Sequence, residues 1–255
     1  MGGPLAKLYS GEFYLADEHR SDQAARAIVP LVIKLVRPRS VVDVGCGTGI
    51  WLRRFLENGV EEIHGIDGQW VDTKLLKIPR DRFEVADLSR PFQVRHTYDL
   101  AVSLEVAEHL PPSAAERFVE TLTSLSKVIL FSAAIPGQGG TGHVNEQWPD
   151  YWAHRFGERG YVPVDCVRWL IWHRNDLPVW YVQNSLLYVN RTALSQFPEF
   201  EVRFKSAGSS PASVVHPRHY LSVLNRQHNP FRRLGTGFRR RIADFISRLR
   251  PKMPQ

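Results

Sequence analysis

Two short stretches of this 255-residue chain bring together side chains that could do chemistry. Glu105-Val106-Ala107-Glu108-His109 offers two carboxylates and an imidazole, and the glycine-rich stretch from Pro136 to Trp148 adds His143. If the first stretch is a helical turn, positions 105, 108 and 109 share one face, because residues three and four apart are neighbours there. Such a face can ligate a divalent cation, and its oxygen-rich character suits Mg2+ or Mn2+. His143 would then be a fourth ligand. Without a cation it is a general base, with Glu108 and His109 beside it. The plainer alternative is a solvated glycine loop with no chemical part.

A second chemistry lies earlier. Val41-Val42-Asp43-Val44 is a short apolar run that breaks into Gly45, Gly47 and Gly49, and a helical pattern opens at Ile50. A strand turning tightly into a helix presents backbone N–H groups and the positive helix end to a ligand. Glycine is required where a Cβ would block the turn or the approach. The spacing is G-x-G-x-G, whereas the dinucleotide fingerprint reads G-x-G-x-x-G. The loop is built for a nucleotide-like cofactor, and Cys46 within it is a small side chain suited to the packing.

These groups need a scaffold, and the rest of the pattern supplies one. Glu62 to Asp67 reads as a second strand ending in an acid about 20 residues past the loop, where a carboxylate can accept both ribose hydroxyls. Phe83 to Leu88 and Tyr98 to Ser103 read as third and fourth strands, with Leu104 to Leu110 a short helical turn. Lys127 to Ala134 is a continuous apolar run, as in a strand buried on both faces. Alternating strand and helix signals predict an α/β, doubly wound, mostly parallel sheet.

Asp43, the glycine triplet, Asp67 and Asp87 in this order resemble the cofactor motifs of class I S-adenosylmethionine (SAM) methyltransferases. The resemblance implies a Rossmann-like sheet of seven strands with the last inserted antiparallel. It implies a SAM site formed by Asp43, Gly45, Cys46, Gly47 and Gly49 around the methionine part and Asp67 at the ribose. Asp87 and Leu88 would lie at the adenine, and Glu105 would border the methionine end. The Glu-x-x-Glu-His pattern is similar to two metal-dependent families of this fold, the ubiquinone-pathway O-methyltransferases and the small-RNA 3′-terminal 2′-O-methyltransferases. In the RNA enzymes a later histidine completes the site, and His143 corresponds to it. Many class I enzymes carry an acid and a histidine here without a metal.

Over residues 9–190, three segments are similar to a bacterial group of SAM methyltransferases found with surface-polysaccharide and glycan-modifying genes. They are Ser103 to Leu110, Phe131 to Gly140, and His143 to Trp152. The implied activity is O-methylation of a sugar, glycan or other small hydroxylated metabolite. The alternatives are an RNA 2′-O-methyltransferase and a SAM-binding scaffold without catalysis. Among the aromatic residues after the loop most are expected in the core, with Trp148 and Trp152 as candidate substrate walls.

Composition sets further bounds. The net charge is +7, but residues 203–255 alone carry +11, leaving about −4 for the body. A mildly acidic body gives no reason to expect nucleic acid. Two cysteines, Cys46 and Cys166, make no disulfide framework. No apolar run is long enough to span a membrane, and no signal-peptide core is visible, so a cytoplasmic location is expected.

Three segments follow. Residues 1–37 hold an aromatic stretch from Tyr9 to Tyr14, read as a lid or an apolar strap, and a helix from Ser21 to Val36 kinked or split at Pro30. Residues 38–195 form the SAM-binding domain. Within it Ser113 and Glu116 read as a capping box for a helix to Leu125, and Tyr151 to Arg159 reads as another helix ended by Gly160. Final strands are expected near Val162–Ile171 and Trp180–Val189. Residues 196–255 are a basic extension in which Phe238 to Arg250 forms an amphipathic helix, suited to an anionic membrane surface or a partner enzyme through 231–255.

Overall fold

The structure, a computed structural model, describes residues 11–90, 92, 96–198, 200 and 213–228. Seven strands form one sheet: β1 (Ser40–Val44), β2 (Glu62–Asp67), β3 (Phe83–Val85), β4 (Leu100–Leu104), β5 (Val128–Ser132), β6 (Tyr161–Val164) and β7 (Leu186–Asn190). Their order is β3-β2-β1-β4-β5-β7-β6, parallel except for β7, which runs antiparallel to β5 and β6. The expected doubly wound, mostly parallel architecture stands.

The strands are apolar on both faces because helices cover both. On one face α1 (Gly11–Val36), α2 (Ile50–Glu57), α5 (Val167–Ile171) and α6 (Val179–Asn184) pack over Val41, Leu100, Val102, Val128 and Leu130. On the other, α3 (Ala115–Leu125) and α4 (Pro149–Glu158) pack over Val42, Val44, Ala101, Ile129 and Phe131. The two sets alternate along each strand, the period-2 signature of the pleat. Phe118 and Leu122 of α3 are fully buried, and each contributes about 2 kcal/mol by leaving water.

Several elements depart from the sequence reading. The first helix runs unbroken through Pro30, where buried Ile28, Val29 and Val32 hold it against the sheet. The aromatic stretch falls on residues 1–10, outside the description, and on the first turn of α1, whose side chains are not described. Ser113 is not an N-cap: a 3-10 turn, Pro112–Ala114, precedes α3, which starts without a side-chain cap. The third strand ends at Val85, leaving Asp87 and Leu88 in the following loop.

The last two expected strands are each half helix. Residues 167–171 form α5 and residues 179–184 form α6, so only Tyr161–Val164 and Leu186–Asn190 are strand. Their apolar runs carry no clear period, and such runs fit a buried helix as well as a strand. A compact unit ends at His216, and the basic extension contains a helix, α7 (Pro217–His228), that the loose sequence pattern hides. The amphipathic helix expected at 238–250 lies outside the described residues.

Candidate active site

Strand order reverses between β1 and β4, and ligands of open α/β sheets bind in the crevice beyond the strand ends at such a point. On one side lies the glycine loop. Gly45 has φ 87°, and a Cβ there would lie 2.3 Å from Val106 Cγ2, so only glycine fits between β1 and the segment after β4. Asp67, at the end of β2, organises the loop with its carboxylate. It accepts from Gly47 N–H at 2.7 Å and Gly68 N–H at 2.6 Å, and the Trp70 indole also bonds it.

Burial raises the Asp67 pKa to about 6, against the lowering effect of those donors. Burial, then Asp67, pushes the Asp43 carboxyl well above the usual range. Burial likewise pushes up the Cys46 thiol, so this cysteine packs rather than reacts. Leu88 is buried, while Asp87 is exposed and accepts from Ser89 N–H at 3.0 Å and Ser89 O–H at 2.6 Å.

On the other side stand the ends of β4 and β5. The predicted helical turn over 104–110 is a 3-10 turn limited to Ala107–His109. Glu105 lies outside it with φ 55°, a left-handed conformation uncommon for a residue with a Cβ. Its N–H donates to Ser132 O at 3.0 Å. Its carboxylate accepts from Gln138 Nε2 at 2.7 Å and Asn184 Nδ2 at 3.0 Å. Glu105 is thus committed to these two amides, with its carboxyl still beside that of Glu108. Burial raises its pKa, and the two amides oppose that rise.

The ligand atoms of Glu108, His109 and His143 lie within 4.8 Å of one another, and the two imidazole rings meet edge to face at 4.8 Å. The loop is clipped onto the 3-10 turn by Val144 N–H at 2.8 Å and Asn145 N–H at 3.0 Å, both donating to Glu108 O. Glu108 is fully buried, and neither carboxylate oxygen meets a protein donor in hydrogen-bond geometry. Burial, then Glu105, pushes its carboxyl well above the usual range. Burial, then His143, lowers the His109 pKa to about 4, so its imidazole is neutral at pH 7.

Such a donor set fits a divalent cation. Metals bind the deprotonated carboxylate and the neutral imidazole, so a cation here would have to displace the proton that burial favours on Glu108. With Glu105 held by its amides, the two nitrogens and one carboxylate of His109, His143 and Glu108 suit Mn2+ or another transition metal better than Mg2+, which prefers all-oxygen surroundings.

Sequence reasoning missed three residues here. Glu146 accepts from His143 Nδ1 at 2.9 Å, Gly137 N–H at 2.8 Å and Gly139 N–H at 2.7 Å. These donors, with burial acting against them, hold its carboxyl below the ordinary range. Gly137, Gly139 and Gly142 all have positive φ, and the first two turn their N–H groups onto Glu146. The glycines thus serve this carboxylate. Gly140 serves His143, since a Cβ there would lie 2.2 Å from Nε2.

Gln138 and Asn184, which also bond each other at 2.9 Å, complete the brace on Glu105. Dense polar groups after the glycines were a usable signal for Glu146. Nothing local marked Asn184, 79 residues from its partner. Of the two candidate substrate walls, Trp148 is 41% exposed, but Trp152 is 2% exposed and packs 5.3 Å from the Phe131 ring, so it is core.

Comparison with known proteins bears on the family and the fold. The profile of a family described as a methyltransferase domain matches residues 16–182. A putative O-methyltransferase from Nostoc punctiforme has a similar structure, with 13% identity and TM-score 0.50, covering 69% of this chain and 58% of that one. Streptomyces venezuelae DesVI has 14% identity and TM-score 0.49, covering 74% and 100%. The methyltransferase domain of a bacterial Hen1 has 20% identity and TM-score 0.47, covering 66% and 97%. At these identities the likeness concerns the fold alone. No match was found among curated proteins. The chain belongs to the methyltransferase-domain family and is a SAM-dependent methyltransferase.

Proposed function

We propose that this enzyme transfers the SAM methyl group to a hydroxyl of a glycan or another small hydroxylated metabolite. The observation that carries the reading is the His143–Glu146 pair over the ends of β4 and β5. Methyl transfer to oxygen is an in-line displacement at the sulfonium methyl, and the acceptor must be held and relieved of its proton. Ionised Glu146 can only accept, so His143 donates to it through Nδ1, and Nε2 is the ring nitrogen left for an acceptor. That nitrogen takes the acceptor's proton.

A second reading rests on the orphaned Glu108 carboxylate. Glu108, His109 and His143 would hold a divalent cation, which as a Lewis acid would lower the acceptor's pKa. The glycan class follows the resemblance of Ser103 to Leu110 and His143 to Trp152 to the polysaccharide-associated group.

The test is methyl transfer from labelled SAM to a panel of hydroxylated acceptors, with and without EDTA. Turnover that survives chelation supports His143 as the proton acceptor. Turnover lost and restored by Mn2+ supports the cation. Turnover on amines but on no hydroxyl would sink O-methylation.

A further inference from the structure

Beyond the reacting groups, the chain leaving the loop forms a second feature that methyl transfer itself does not need. Gln147, Trp148, Asp150, Tyr151 and Ser213 line a cleft of about 400 Å³. Its backbone is fixed. Gln147 N–H donates to Ala134 O at 3.0 Å just beyond β5, and Pro149 starts α4 immediately after Trp148. Trp148 is therefore an indole held at the mouth of the cleft by a hydrogen-bonded backbone, with 41% of its surface exposed.

The rim chemistry narrows the ligand. The Asp150 carboxylate lies at the opening and accepts from Ser213 O–H at 2.6 Å. The Gln147 amide reaches Asn145 Oδ1 at 3.0 Å, which sets its orientation. The Tyr151 ring is covered by the Arg155 guanidinium at 3.6 Å and so is itself braced. A flat aromatic ligand could stack on Trp148 but would leave the polar rim without partners in its plane. This cleft has one open aromatic surface edged by a carboxylate, an amide and a hydroxyl. It matches a ligand with one face of C–H groups and a border of hydroxyls, which is a pyranose ring.

We propose that the Trp148 cleft is a saccharide subsite that holds a sugar ring next to the one being methylated, an inference that rests on the glycan reading above. Trp148 follows His143 by five residues, so their Cα atoms are at most about 18 Å apart. A short oligosaccharide spans that distance. The subsite selects acceptors of two or more sugar units and contributes to binding rather than to the methyl-transfer step.

The experiment uses the full chain saturated with S-adenosylhomocysteine, alongside Trp148→Ala and Trp148→Phe. Each is titrated on an array of defined oligosaccharides of hexoses, deoxyhexoses and N-acetylhexosamines, and S-adenosylhomocysteine affinity is measured by calorimetry. The expected result is binding of a subset of the array, weakened at least tenfold in Trp148→Ala and less in Trp148→Phe, with cofactor affinity unchanged. Oligosaccharide binding that is equal in Trp148→Ala would overturn the subsite and leave the glycan reading standing. A wild-type chain that binds no oligosaccharide while methylating a non-sugar hydroxyl would overturn both.

Discussion

The two banks of the crevice are built by different means. At the glycine loop the polar groups are mostly backbone N–H, and one buried carboxylate, Asp67, gathers two of them. At the ends of β4 and β5 they are side chains: Glu105, Glu108, His109, His143 and Glu146, held by amides and glycine N–H groups from residues 137 to 184. The first bank is a short contiguous motif, and the second is assembled across the chain. The backbone bank depends on glycines that leave room for the turn, as at Gly45, whereas the side-chain bank changes its chemistry with a single substitution. The cofactor bank is thus suited to being constant and the acceptor bank to being adapted.

Breaking each bank in turn tests that contrast. The largest effect is expected from His143→Ala, which removes the proton acceptor and should lower kcat about 10²- to 10⁴-fold, with S-adenosylhomocysteine affinity intact by calorimetry. Asp67→Asn should do the converse. It loses a charged acceptor and should weaken cofactor binding about 10- to 100-fold.

The pH dependence of the wild type follows from the same residue. Protonation of Asp67, whose pKa is about 6, removes the charge that gathers the Gly47 and Gly68 N–H groups and so loosens the glycine loop. Cofactor affinity should hold above pH 6 and fall as the pH drops through it, and Asp67→Asn should flatten that profile. The smallest effect is expected from Glu146→Gln, about tenfold in kcat, because the ring stays in place while its orientation loosens. Equal losses of cofactor binding in all three variants would show that the banks do not act separately.

Legibility differed in the same way. The glycine triplet, the acid ending β2 and the apolar strands announce themselves through spacing and periodicity, so the sheet and the cofactor bank were readable. Glu105 lies outside the expected helical turn because the chain adopts a left-handed residue there, which spacing does not reveal. The expected strands near Val162–Ile171 and Trp180–Val189 include two short helices, because apolar runs of five or six residues are too short to show the period that separates helix from strand. Asn184 could not be found at all, since its role exists only once β7 folds back beside β5.

That last pairing also orders events during synthesis. Chains emerge from the amino terminus, and the glycine loop and the first four strands are complete by Leu104. The Glu105 brace waits for Asn184 and for the strand that follows it. The glycine-loop side of the crevice is thus synthesised well before the partners that brace Glu105.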